Sequence, residues 1–446
     1  MSGSNLCFIS NYSKTFLFDA VAQQLQEAGR SVYWIVVNHK LREHLLQRYD
    51  SECLLYLNKK YIALPGDKIG EFKLNELVYG DRALEHIPDE GVKYLLHIQK
   101  PIYDFIQTNS IHYVFGELTW AHELLIRRLV EQRSELRCRF LNPAGIRIPN
   151  GRFAFFTDEC ESQMLPVPGD KPWPTSEKTI AIEKPDYLAG NDQLLQHSRS
   201  LPERLKKMKR FVTGENIDAH DPTLIKRRWV RLLKRGGEEV NRELYRFVKR
   251  LSLTEVGERK FVFLALHKQP EASIDVIGRY YEDQQVNILN LWRITPDDWL
   301  VLVKEHSNAI GDRGPGFYRR LARLPNLYFI REDEDSHEII QRSELVVTVS
   351  GTVAYEAALL GKPAVTLAPT FFNRAPHCRH VGLEDLRKAR NIYDIIPEVS
   401  GDTAELQSYV MQHSFPGIIS DPLSDNLCMH PDNISSLAAA VRQVTA

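Results

Sequence analysis

A chain of 446 residues, 43% hydrophobic and 26% charged, has the composition of a globular protein with room for two or three domains. Its formal net charge of −1 excludes the strongly basic surface of a general nucleic-acid binder, and no run reaches the ~18 apolar residues of a membrane-spanning helix. The opening MSGSNLCFIS lacks a basic stretch ahead of a long apolar one, so no secretory signal is expected. The six cysteines (Cys7, Cys53, Cys138, Cys160, Cys378 and Cys428) form no CxxC pair and read as reduced thiols rather than a disulfide or zinc framework. The expectation is a cytoplasmic protein able to touch a membrane surface.

Asn5 to Ser10 reads as a short strand and Asn11-Tyr12-Ser13-Lys14 as a polar turn. Phe16 to Ala28 has helical spacing at Phe16, Ala20, Val21 and Leu25, and Gly29 ends it. Ser31 to Val37 is nearly continuous in apolar residues, as in a strand covered on both faces. This β–α–β opening carries no glycine fingerprint in its first turn. Asn11 is there a candidate acceptor contact, with a plain polar loop as the alternative. Residues 50 to 100 carry mixed signals. Ile102 to Thr108 reads as a helix, Ile111 to Phe115 as a strand, and Trp120 to Glu131 as a helix. Glu117 sits where that strand gives way to that helix, the edge at which doubly wound sheets place ligands. It is a candidate general base; a helix cap or a partner for Arg127 or Arg128 is the alternative.

Arg139 to Arg152, RFLNPAGIRIPNGR, reads as an ordered loop offering Arg147 and Arg152 to anions. Cys160 to Pro185, with five prolines, reads as irregular. Pro202 to Arg250 is strongly basic and helical in tendency, with Trp229, Leu232 and Leu233 on an apolar face. It reads either as solvated helices between domains or as a surface for anionic lipid or polymer.

From Lys260 the alternation is regular. Phe261 to Leu266 is a strand that exits into His267-Lys268-Gln269-Pro270-Glu271-Ala272-Ser273, and Ile274 to Ile294 is largely helical. Trp299 to Val303 is a strand that exits into Lys304-Glu305-His306-Ser307. A helix (Phe317 to Leu324), a strand (Asn326 to Ile330) and a helix (Ser336 to Arg342) follow. The strand Leu345 to Val349 then enters Ser350-Gly351-Thr352, the helix Val353 to Leu360, Gly361 and the strand Ala364 to Leu367. Right-handed crossovers put these exits on one edge of a parallel sheet. Unpaired N–H groups at a helix start, close backbone approach at Gly351 and the hydroxyls of Ser350 and Thr352 suit a phosphate. Glu356, one turn in, suits a ligand's sugar hydroxyls. A plain Ser-Gly-Thr cap is the alternative. Asp432-Asn433-Ile434 caps a closing helix, Ser435 to Val444.

FLALHKQPEAS (263–273), LVLVKEHS (300–307) and VVTVSGTVAYEAALLGKPAV (346–365) make the chain resemble the GT-B glycosyltransferases. Within them it is most similar to bacterial capsule and surface-polysaccharide biosynthesis proteins of the Kdo-transferase-like kind. The resemblance covers roughly Lys260 to Pro369. It implies an α/β protein of two Rossmann-like αβα domains with a cleft between them, residues 1–256 on the acceptor side and 257–446 binding the nucleotide sugar. It also implies metal-independent sugar transfer to a polysaccharide or lipid-linked acceptor, with a CMP- or UDP-activated donor as substrate, no cofactor and no nucleic acid. In that frame Ser350, Gly351 and Thr352 hold the phosphate, together with His267, Lys268 and Gln269. Lys304 and His306 face the departing charge, and Glu356 touches the ribose or sugar. Glu117 is the base for the acceptor hydroxyl, and Asn11, Arg147 and Arg152 lie on the acceptor side. Gln269-Pro270 matches the QP element of enzymes that use a CMP-sugar, while their HP element is missing because Ser307 follows His306. A UDP-sugar 2-epimerase of the same fold, a CDP-polyol phosphotransferase and a non-catalytic nucleotide-binding scaffold stay open as alternatives.

Overall fold

The computed structural model describes residues 4–169, 218, 220–225, 228–398 and 403–446. Its strands are β1 (Asn5–Ile9), β2 (Val32–Val36), β3 (Leu54–Tyr56), β4 (Ile111–Phe115), β5 (Arg139–Gly145), β6 (Arg152–Phe156) and β7 (Arg250–Leu251). They continue with β8 (Phe261–Ala265), β9 (Leu300–Lys304), β10 (Leu327–Ile330), β11 (Leu345–Thr348), β12 (Ala364–Thr366), β13 (Cys378–His380) and β14 (Phe415–Pro416). They form two seven-stranded sheets, in the orders β14-β6-β5-β4-β1-β2-β3 and β13-β12-β11-β8-β9-β10-β7. Every pairing in the second sheet is parallel. In the first, only β6 runs antiparallel to its neighbours. This is the expected two-domain α/β layout of the GT-B class.

Apolar content explains why the strands are buried on both faces. VYWIV, FVFLA and LVLVK leave no side free for water. Successive residues then serve opposite cores, as the two-residue period of a strand requires. Phe261 and Phe263 lie in one cluster, Val262 and Leu264 in the other. Leu6 and Phe8, and Cys7 and Ile9, divide in the same way around the first sheet.

The chain crosses between the halves more than once. β7 joins the second sheet although it precedes Lys260, while β14 returns to the first sheet, where Phe415 packs on Phe153 and Phe155. Behind it the helix Pro431–Val444 lays Leu437, Ala438 and Val441 against Leu17, Phe18 and Val21. One apolar cluster runs through both halves, with Ile146, Ile148 and Phe156 meeting Tyr355, Phe371 and Phe372. The Tyr355 hydroxyl donates to the Ile148 carbonyl at 2.7 Å.

Several local expectations are corrected. Residues 139–152 are not one loop: Arg139–Gly145 pairs with β4 on one side and β6 on the other. Buried Phe140 and Leu141 pull that segment, Pro143 and Gly145 included, into the sheet, and Pro149 and Gly151 mark the hairpin that follows. The helix expected over 274–294 stops at Asp275 and restarts at Gln284. Asp283 caps the restart, accepting from the N–H groups of Gln285 at 3.0 Å and Val286 at 3.1 Å. In the break Gly278 lies so close to Val349 that an added Cβ would stand 2.5 Å from it. Residues 50–100 hold β3 and the helices Leu74–Tyr79 and Pro88–His97. Of the basic stretch, Arg228–Tyr245 is a helix; the expectations for 170–217 fall outside the described residues. All six cysteines are free. Among the described residues no helix is long and apolar enough to cross a membrane.

Candidate functional site

β11, β8 and β9 are adjacent, so their exits meet at one edge of the second sheet. They are tied together by hydrogen bonds. His267, leaving β8, is 6% exposed, and its Nε2 accepts from the Ser350 N–H at 3.2 Å. The same nitrogen lies 2.9 Å from the Thr348 hydroxyl, which itself accepts from the Gly351 N–H at 3.2 Å. Burial pushes the imidazole down to about 3, with the positive charges of Arg313 and Arg147 acting in the same direction. His267 is therefore neutral at pH 7, and Nε2 is the acceptor that the turn needs. Ser350 Oγ donates to the Ser273 carbonyl at 2.5 Å, closing the third side. From the β9 exit, Arg313 reaches the His267 carbonyl at 2.6 Å and the buried Glu305 at 2.5 Å. Glu305 also accepts from Tyr318 at 2.8 Å.

The residues expected to bind the donor are placed as follows. The Ser350 N–H is taken by His267 and the Gly351 N–H by Thr348, so the start of the helix Thr352–Leu359, which has no side-chain cap, is the open part of the loop. Gln269 accepts from Gln284 at 2.7 Å beside a cis bond to Pro270. His306 caps the following turn, its Nδ1 accepting from the Asn308 N–H at 3.2 Å, and burial holds its imidazole below the ordinary value. Lys304 turns to the Glu334 carbonyl at 2.6 Å and the Ser336 hydroxyl at 2.8 Å. Glu356 faces His337 at 3.3 Å. Lys268 acts through its charge on His306.

Across the cleft, β1 and β4 are neighbours, and their exits bring Asn11, Lys14 and Glu117 together. Glu117 is joined by an ion pair with Lys14 and accepts from Asn11 Nδ2 at 2.9 Å. The helix Ala121–Gln132 is capped not by Glu117 but by Glu123, which accepts from the N–H groups of Thr119 at 2.8 Å and Trp120 at 2.9 Å. Burial pushes the Glu123 carboxyl up to about 8, against those N–H groups and Lys14. Desolvation also lowers the Lys14 ammonium, opposed by Asp421, Glu123 and Glu161. Arg127 and Arg128 are engaged elsewhere, on Glu159.

Between these walls lies a cavity of about 570 Å³. Lys14, Glu117, Asn142, Glu161 and Asp421 line it from the first sheet's side, and Glu271 and Ser273 from the second's. Arg147 also lines it, in the left-handed region at φ 64°. Its charge is felt by Glu161 on one side and by His267 and His306 on the other. Arg152 reaches the same cavity but is anchored on Ser414, at 2.8 Å to Oγ and 2.5 Å to the carbonyl.

No family model matches this chain, and no curated protein matches it. Solved structures do. The β-Kdo 2,7-transferase of Thermosulfurimonas dismutans KpsC is 9% identical, covering 99% of this chain and all of its own, with a TM-score of 0.40. The β-Kdo 2,4-transferase of the same protein is 14% identical over 74% of this chain and 87% of its own, at 0.35. The UDP-GlcNAc 2-epimerase of Methanocaldococcus jannaschii is 12% identical over 92% and 98%, at 0.26. At these values the likenesses carry no weight for activity, and the fold rests on the two sheets themselves.

Sequence reasoning passed over Lys14, Glu123, Glu161 and Asp421. Lys14 stood in a turn already singled out, and its partner Glu117 was named. Asp421, which accepts from Ser13 at 2.7 Å, comes from the returning C-terminal segment. Only the crossing of the chain brings it near, and no local pattern encodes that.

Proposed function

We propose that this chain transfers a sugar from a nucleotide-sugar donor to a polysaccharide or glycolipid acceptor. The observation that supports this most is the interdomain cavity, which brings together a carboxylate held by Asn11 and Lys14 and the cation Arg147, with Glu271 and Ser273 closing it from the second half. A transferase needs both. Glu117 would take the proton of the acceptor hydroxyl as its oxygen bonds to the anomeric carbon. The bond from that carbon to the donor phosphate breaks, and the phosphate leaves with the electron pair. Arg147 and the N–H groups opening the helix at Thr352 would offset its charge. Lys14 and Asn11 would fix the carboxylate's direction. In this reading the enzyme works at the inner face of the membrane, where lipid-linked acceptors are presented.

The test is a thermal-shift screen of the purified chain with CMP, CDP, UDP, UMP and GDP. A ligand that binds only the folded state raises the melting temperature by mass action. A shift with one nucleotide identifies the donor class, and incubation with the matching sugar nucleotide then separates acceptor-dependent transfer from acceptor-free epimerisation. No shift with any nucleotide would defeat the donor site and the function with it.

A further inference from the structure

The helix Arg228–Tyr245 has two faces of opposite character. Its inner face packs on the second sheet's domain. Tyr245 is 3% exposed and lies against Tyr318 at a ring distance of 5.2 Å. Asn241 donates to the Gly311 carbonyl at 3.2 Å and Arg242 to the Ile310 carbonyl at 3.3 Å. Gly311 is pressed so closely to the helix that an added Cβ would stand 2.5 Å from the Glu238 carbonyl. The outer face is apolar and bare. Trp229 is 76% exposed, Leu233 73%, Val240 58% and Leu244 40%, and Phe247, just past the helix end, is 85% exposed. These residues recur at spacings of three, four and seven, which place them on one stripe. Leu232 borders it.

Charge is distributed along the helix in a way that selects the partner. From Arg228 to Arg235 the sequence is RWVRLLKR, with no acidic residue. In the later turns Glu239 pairs with Arg242 and Glu243 with Arg246, just past the helix end, each at 2.9 Å, and with Glu238 the stretch 228–247 holds six basic residues against three acidic ones. The exposed apolar stripe is therefore flanked by net positive charge. A stripe of large apolar side chains seated in a cationic surround suits the boundary between anionic headgroups and acyl chains. A protein partner would more often present a shaped apolar groove.

We propose that this helix lies flat in an anionic bilayer surface and docks the enzyme there. The carbonyls it grips, Ile310 and Gly311, belong to the segment leaving β9, which also supplies His306 and Arg313 to the candidate site. A membrane-seated helix would hold that edge of the second sheet near the lipid. The orientation argument rests on the transferase reading; the binding itself does not.

The test is sedimentation of the full chain with vesicles of phosphatidylglycerol and phosphatidylcholine in equal parts, beside vesicles of phosphatidylcholine alone. No nucleotide or acceptor is present, so the result is independent of transfer. Wild type should sediment with the anionic vesicles, and much less with the neutral ones or at high salt. A triple variant, Trp229→Glu, Leu233→Glu and Phe247→Glu, should partition at least about tenfold less. Because these side chains are exposed, its melting midpoint should stay at the wild-type value. The double variant Lys234→Ala, Lys249→Ala, which leaves the stripe intact, should weaken binding on anionic vesicles only. Equal sedimentation of wild type and both variants would overturn the proposal, as would absence of wild type from the anionic pellet. A wild-type dimer that the triple variant converts to monomer would also overturn it, by assigning the stripe to a second copy.

Discussion

Arg279, from the break after Asp275, donates to Glu76 of the first half at 2.8 Å, a bond that crosses between the two domains. It also pairs with Glu159, and its neighbour Tyr280 donates to the other Glu76 oxygen at 2.8 Å. Arg128 completes the group on Glu76 and on Glu159. All four charged side chains are between 12% and 17% exposed, so solvent screens them weakly. This cluster fixes the relative position of the halves beside the cavity, of which Glu159 forms part of the lining.

Arg279→Met removes the arginine that spans the domains while keeping most of its stem. Glu76 is then left with Arg128 and the Tyr280 hydroxyl, and Glu159 with Arg128 and Arg127. The expected cost is about 1–3 kcal/mol, between the loss of an ordinary charged hydrogen bond and that of a buried pair. Thermal unfolding should begin at a temperature a few degrees lower, and hydrogen exchange should rise at both domains' facing loops. A variant indistinguishable from wild type in both measurements would remove the cluster's structural role.

The same cluster carries a pH dependence. Burial pushes the Glu159 carboxyl up, but hydrogen bonds and charge from Arg128 and Arg279 outweigh it and hold the group at about 2, below its ordinary 4.5. A depressed folded value means that its contribution is complete above about 4.5 and is lost as pH falls toward about 2. Denaturant midpoints measured from pH 5.5 down to 3.5 should fall less steeply in Glu159→Gln than in wild type. Parallel curves would show that Glu159 does not take part in acid destabilisation.

How much of this was legible in the sequence follows from the distance over which each feature is encoded. The second sheet was readable because its strands are continuous apolar runs and its loops begin with polar residues, both local signals. That His267 and Ser350 meet followed from the crossover rule, although the direction of the bond, from backbone to imidazole, did not. The 274–294 helix was misread because its break depends on Gly278 pressing on Val349, a contact remote in sequence. Arg152 looked free for an anion, yet it is held by Ser414 of the returning segment, a partner that local sequence does not specify.

His122 tests burial alone. It is 2% exposed, and among the described residues its Nε2 has no hydrogen-bond partner. Burial pushes the imidazole from 6.5 down to about 3. The unfolded chain therefore binds the proton first, and stability is lost as pH drops from about 6.5 toward about 3. His122→Leu removes both the unpaired nitrogen and the proton uptake. Its stability at pH 7 should equal or exceed wild type by about 1 kcal/mol, and the advantage should widen at pH 5. A variant clearly less stable at pH 7 would reveal a partner for this nitrogen.

Gly351→Ala examines the turn. The glycine has φ −73°, so the constraint is space rather than backbone conformation. An added Cβ would stand 2.7 Å from Thr348 Oγ1, the atom that accepts the Gly351 N–H and contacts His267. The turn must shift, with an expected cost of about 1–3 kcal/mol. Any nucleotide-induced rise in melting temperature should be abolished or sharply reduced. A full nucleotide shift in this variant would move the donor site away from the Ser350–Thr352 turn.

Glu117→Gln separates binding from chemistry. The amide keeps the size of the carboxylate and can still accept from Asn11, but it cannot accept a proton from an acceptor hydroxyl. It also loses its charge against Lys14. Under the proposed function, kcat for transfer should fall by about 10²- to 10⁴-fold, the usual contribution of a positioned general base. The nucleotide shift should persist, because the turn proposed to hold the donor phosphate, Ser350–Thr352, belongs to the second sheet and not to the segment carrying Glu117. Lys14→Met should have a milder effect on kcat, since it removes a group that orients the carboxylate and leaves the carboxylate itself. Transfer at the wild-type rate in Glu117→Gln would exclude Glu117 as the base and direct attention to Glu161 and Asp421, two further carboxylates that line the same cavity.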